Sequence, residues 1–223
     1  MRLSLLVVLS SLLAASSARQ PAGSTSVIWI YDCSQSHYNT LAPPPLERFG
    51  VRSRPIDPLV QAVADNLGTG AEVRVLSFGT GMRLSPAWMR TRSELGAAMD
   101  CGDTLNGPSP IWDAIHRGVE VLEERPGLRA ILMVTDGKSS ANVHGYQDAL
   151  DRSKQAGVRV HIGFARTELM RSNWKPLTLN ADHPGHPAER LKKFAEGTGG
   201  RYAERSVSDL PAFFAEVARE WQK

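Results

Sequence analysis

The chain has 223 residues, 42% of them hydrophobic and 22% charged, with 26 basic against 23 acidic side chains and a formal net charge of +3. That length is enough for one domain with a proper core and short of two. The charges are scattered instead of gathered into a basic stripe, which argues against nucleic-acid binding.

The first 18 residues read as a secretory signal. Met1 and Arg2 precede an almost unbroken apolar stretch from Leu3 to Leu13, and small residues follow as far as Ala18, where cleavage is expected. An apolar core of about 11 residues falls short of the roughly 20 that span a bilayer. Export to the periplasm or beyond is therefore expected, with no membrane span left in the mature chain. Loss of Arg2 lowers the charge from +3 to about +2. Residues 19–25 then form a short linker and 26–223 the folded domain.

The first strand is expected at 27–31, the apolar run Val27, Ile28, Trp29, Ile30, Tyr31, followed directly by Asp32, Cys33, Ser34, Gln35 and Ser36. A buried strand ending in one carboxylate and two hydroxyls, spaced two residues apart, sets three hard oxygen donors around one point. That is how a Mg2+ site begins. After a proline-containing loop at 39–54, helices are expected at 58–67, 93–99, 110–123, 146–155, 188–196 and 210–221, and strands at 73–78, 130–135, 158–164 and 200–203. Ser109 followed by Pro110 predicts an N-cap with proline at the first helical position. Ser208, Asp209, Leu210 and Pro211 open the last helix similarly, and Gly157 and Gly197 are expected to end helices. Such alternation predicts an α/β doubly wound, mostly parallel sheet flanked by helices. The long loops 39–54 and 166–187 follow strand ends and fall on the edge where such sheets carry their sites.

The strand at 130–135 ends in Thr135, Asp136, Gly137, so a second carboxylate emerges at the edge where Asp32 does. The turn Asn106, Gly107, Pro108, Ser109 adds a hydroxyl, so Asp32, Ser34, Ser36, Ser109 and Asp136 can converge on one ion from three loops. Mg2+ takes near-octahedral oxygen coordination with few direct protein ligands. Neutral hydroxyls with two carboxylates leave its charge under-neutralised, which leaves a position open to an acidic group of a partner.

On these residues the chain resembles the von Willebrand factor A family, and its Leu191 to Tyr202 segment, with the run Gly197, Thr198, Gly199, Gly200, resembles exported stand-alone bacterial members. Asp32, Ser34 and Ser36 match the Asp-x-Ser-x-Ser motif, and Asp136 matches the aspartate of the Thr-Asp-Gly strand end. Ser109 falls where that family usually has threonine, so the hydroxyl is kept and the methyl that restricts its rotamer is lost; Thr104 or Asn106 could supply that oxygen instead. The resemblance runs from about Val27 to Trp221. It implies a Rossmann-like fold, a metal-ion-dependent adhesion site holding Mg2+ or Mn2+, and a protein ligand presenting Asp or Glu. It leaves adhesion, assembly or a chaperone-like role as options, and no catalytic motif in the sequence asks for an enzymatic activity. In some members the last helix, here 210–221, moves with the metal's coordination.

Cys33 and Cys101 are the two cysteines. In an exported chain they invite a disulfide, or they are two small semi-buried thiols. Other readings compete for particular residues. His183 and His186 have neither helical spacing nor cysteine support for a transition metal. His37 is a partner contact or a solvated residue, and Trp88 and Trp174 are interface anchors or local packing. The Gly197 to Gly200 cluster lacks the Lys and Ser/Thr of a phosphate loop. A metal-assisted hydrolase would use His37 or His144 for proton transfer, and a scaffold would carry a degenerate site.

Overall fold

The structure is a computed structural model and describes residues 24–34, 56–101, 107–137, 139–165 and 186–222. The expected signal segment, the bulk of both long loops, and Ser36, His37, Thr104, Asn106, Trp174 and His183 lie outside them. The elements in chain order are β1 (Thr25–Asp32), α1 (Asp57–Ala64), β2 (Ala71–Phe78), β3 (Met82–Leu84), α2 (Arg92–Ala98), α3 (Ile111–Glu123), β4 (Leu128–Thr135), α4 (Tyr146–Gln155), β5 (Arg159–Ala165), α5 (Pro187–Gly197), β6 (Tyr202–Arg205) and α6 (Leu210–Arg219), which ends in a 3-10 turn at Glu220–Gln222.

One sheet runs in the order β3-β2-β1-β4-β5-β6. Every pairing is parallel except β2 with β3. Sequence order reverses at β1, whose neighbours β2 and β4 lie on either side of it. At such a switch point the connections leave to opposite faces and open a crevice at the strands' C-terminal ends. The reason β1 can be central is that both of its faces are apolar. Val27, Trp29 and Tyr31 pack with Leu59 and Val63 of α1 and Phe214 and Val217 of α6, while Ile28 and Ile30 pack with Ile111, Ile115 and Val119 of α3 and Phe194 of α5. Side chains of this kind contribute about 1.5–3 kcal/mol each when fully buried. Among the described residues no helix is long and apolar enough to cross a membrane.

Three local details differ from the sequence-based expectation. The edge strand β3 was not anticipated: it has only three residues, none of them buried, and no apolar run announces it. Gly199, at φ 75, takes the left-handed position after α5, while Gly197 lies inside that helix. At α3 the N-cap is Pro110, which has no capping side chain, so Ser109 is not the cap.

One buried side chain gives the fold an acid sensitivity. His161 of β5 is 2% exposed and lies in the cross-strand row Val75, Trp29, Leu132, His161. Its Nδ1 accepts the Arg201 backbone N–H at 3.2 Å, so the ring proton sits on Nε2, which is buried without a partner among the described residues. Burial, then the charges of Arg201 and Arg159, push its pKa down from 6.5 to about 4. The unfolded chain then binds the proton before the folded one does. Stability is full above pH 6.5 and declines as pH falls from there towards about 4, by about 3 kcal/mol in all. Urea denaturation at pH 7 and pH 4.5 is expected to show this decline in the wild type and a clearly smaller one in His161→Asn, whose amide oxygen can still accept from Arg201.

Candidate metal centre

The site is assembled from the ends of β1 and β4 and the turn before α3. The register that sets Tyr31 beside Val134 brings Asp32 level with Thr135, with Asp136 one residue beyond. The Thr135 hydroxyl donates to Asp32 Oδ2 at 2.8 Å and accepts the Gly137 N–H at 3.0 Å, while Asp32 Oδ1 accepts the Ser34 N–H at 3.0 Å. One carboxylate is thus oriented from both strands. Gly137 has φ 79, and a Cβ there would sit 2.7 Å from Phe164 and 2.9 Å from Pro187. The chain can turn sharply behind Asp136 only because this residue is glycine.

Asp32 and Asp136 are each 1% exposed, Ser34 2% and Ser109 4%. Carboxylates this deep in a protein need compensating partners or a cation. The turn carrying Ser109 is fastened to the loop that follows Asp136. Ser109 N–H donates to Ser140 Oγ at 3.1 Å, and Ser140 N–H donates to the Ser109 carbonyl at 2.9 Å. Four of the five residues expected to bind metal, Asp32, Ser34, Ser109 and Asp136, therefore lie on these three adjoining segments. The fifth, Ser36, lies outside the described residues. Among those, no three His, Cys, Asp or Glu side chains gather into a metal-binding group, so an ion here would take its further ligands from hydroxyls and water. The donor chemistry fits such an ion: every candidate is oxygen, and two carboxylates suit a hard divalent cation.

The disulfide is formed. Cys33 and Cys101 are bonded, with Cα atoms 5.6 Å apart across a separation of 68 residues. It ties the loop carrying Asp32 and Ser34 to the segment that leads towards Ser109.

The competing residues have other occupations. His186 caps α5, its Nδ1 accepting the Ala188 N–H at 3.2 Å. The guanidinium groups of Arg125 and Arg74 lie over the Trp88 ring, 4.6 and 5.8 Å from its centre, which is local packing. His144 Nδ1 lies 2.9 Å from Asp113 Oδ1, and its ring stacks on His116 at 3.9 Å. A cavity of about 570 Å³ lies between β6 and α6, lined among others by Arg201, Tyr202 and Phe213, and none of the described candidate ligands, Asp32, Ser34, Ser109 and Asp136, lines it. Thr135, Ser140, Asn142 and Asp113 were not singled out as site residues from sequence. The polar run Ser139, Ser140, Asn142 after Asp136 was the available signal.

No protein-family model matches the sequence, and no curated protein does. Solved structures do match it. A von Willebrand factor type A protein from Catenulispora acidiphila aligns over 90% of this chain and 43% of its own, at 18% identity and a TM-score of 0.61. Proximal thread matrix protein 1 from the mussel byssus, with a zinc-occupied MIDAS motif, aligns over 89% and 46%, at 14% identity and a TM-score of 0.63. The pilus adhesin SpaC from Lactobacillus rhamnosus GG, in its open conformation, aligns over 92% and 30%, at 11% identity and a TM-score of 0.60. The chain spans less than half the length of each of these three. Its fold is that of a von Willebrand factor A domain.

Proposed function

We propose that this protein is an exported, metal-dependent protein-binding module of adhesion or assembly. In this reading Asp32, Ser34, Ser36, Ser109 and Asp136 hold Mg2+ or Mn2+, directly or through water. The bound ion supplies a Lewis-acidic position for an Asp or Glu side chain of a partner protein. The observation that carries it is the pair of nearly inaccessible carboxylates at adjacent strand ends, accompanied by buried serines, with no third acid gathered there among the described residues. A third carboxylate would carry the site past formal neutrality with a divalent ion and oppose the approach of a partner's carboxylate. The similar structures support a binding role: one is a pilus adhesin and another a byssus matrix protein with an occupied adhesion-site motif. Segments 39–54 and 166–187 follow β1 and β5 and would contribute specificity. Signal cleavage near Ala18 would deliver the domain to the periplasm or outside the cell.

Calorimetric titration tests the reading. Mn2+ and Mg2+ are expected to bind the wild type saturably at one site, and binding is expected to vanish in Asp136→Ala. Adding acetate as a minimal carboxylate is expected to tighten the wild-type interaction. A wild type that binds neither ion, with or without acetate, sinks the reading.

A further inference from the structure

The N-terminus of α3 is capped from a distance. Pro110 cannot cap, and the Trp112 and Asp113 N–H groups donate instead to Oδ1 of Asn142, at 2.8 and 3.4 Å, from thirty residues further along the chain. Asp113 returns the contact. Its Oδ2 accepts the Val143 N–H at 2.8 Å, and its Oδ1 accepts the His144 N–H at 2.7 Å and faces His144 Nδ1 at 2.9 Å. Asn142 Nδ2 also donates to Ser139 Oγ at 2.8 Å. Between these anchors Ala141 is held at φ 54, a left-handed conformation that is strained for an L-residue. The turn's shape is therefore imposed by its bonds and not chosen by the chain. Val143 is 88% exposed, yet its backbone N–H is pinned.

These bonds lie beside the metal centre without touching it. A helix beginning after Ser109-Pro110 would ordinarily recruit the serine hydroxyl as its cap. With Asn142 doing that work, the Ser109 hydroxyl is spared. The two Ser109–Ser140 hydrogen bonds, one to the Ser140 hydroxyl and one between backbones, and the Asn142–Asp113 exchange then lock the Ser109 turn to the loop descending from Asp136. We infer that Asn142 and Asp113 are positioning residues of the metal centre: by capping α3 from the loop after Asp136 they release the Ser109 hydroxyl and fix its spacing from the Asp136 carboxylate.

This rests on the metal-binding reading above, and the test separates the two. Mn2+ is titrated into the wild-type protein and into Asp136→Ala, Asn142→Ala and Thr91→Ala. Thr91 caps α2 with a reciprocal bond to Glu94 far from the site in sequence, so its loss lowers stability as a cap deletion does. Asn142→Ala is expected to weaken Mn2+ binding by about 10- to 100-fold, as loss of an outer-shell partner does, with Thr91→Ala within about twofold of wild type. Wild-type affinity in Asn142→Ala, or an equal loss in Thr91→Ala, overturns the positioning role and leaves the metal site standing. No Mn2+ binding by the wild type removes both. Should Asn142→Ala not fold, hydrogen exchange of the wild type decides. Coupling is reciprocal, so saturating Mg2+ must slow exchange of the Val143 and His144 amides, and unchanged exchange there overturns the role.

Discussion

Asp32→Ala is expected to abolish Mn2+ binding and to destabilise the metal-free fold at the same time. The second effect distinguishes it from loss of a simple ligand. The carboxylate receives the Thr135 hydroxyl on one oxygen and the Ser34 N–H on the other, in surroundings that leave it 1% exposed. Truncation strands both donors, and a buried donor without an acceptor costs about 1–3 kcal/mol. Asp32→Asn keeps one acceptor oxygen, so it is expected to recover part of the stability while still failing to bind the ion, because the charge is gone. Urea denaturation in chelator, beside Mn2+ titration of the same two variants, reads both consequences. Equal stability of wild type and Asp32→Ala would show that these hydrogen bonds do not hold the two strand ends together.

Reduction of Cys33–Cys101 is expected to have the largest effect on stability. The bond closes a loop with a separation of 68 residues, and the chain-entropy model assigns about 4 kcal/mol to a closure of that length. For a domain of this size that is a fall in Tm of roughly 8–16 °C. The cysteines are also placed to affect the site, since Cys33 lies between Asp32 and Ser34. Without the bond, the first ligand loop loses its tether to the segment before Ser109, and Mn2+ affinity is expected to fall along with Tm. Thermal unfolding of the wild type with and without reductant, and of the Cys33→Ala/Cys101→Ala pair, measures this. Coincident melting curves would contradict it.

The central strands were legible because burial on both faces writes a continuous apolar run, as in Val27 to Tyr31, and the two strand-end aspartates could be read directly from such runs. What stayed hidden was non-local. Ser109-Pro110 reads locally as a capped helix start, and only the folded chain shows that Asn142 has taken over the cap. The cysteine pairing depended on a Cα distance that sequence does not contain. β3 is too short and too exposed to leave a pattern, although Gly79, Thr80 and Gly81 before it mark a turn. His161 sits in the apolar run from Val158 to Phe164 with nothing beside it to announce a buried imidazole.

In the proposed function one divalent cation sits where β1, β4 and the turn before α3 meet. Crystals grown with Mn2+, with data collected at the manganese absorption edge, test it most directly. The account predicts a single anomalous peak within coordination reach, direct or through one water, of Asp32, Ser34, Ser109 and Asp136. A peak elsewhere, or none with these side chains ordered, would contradict it.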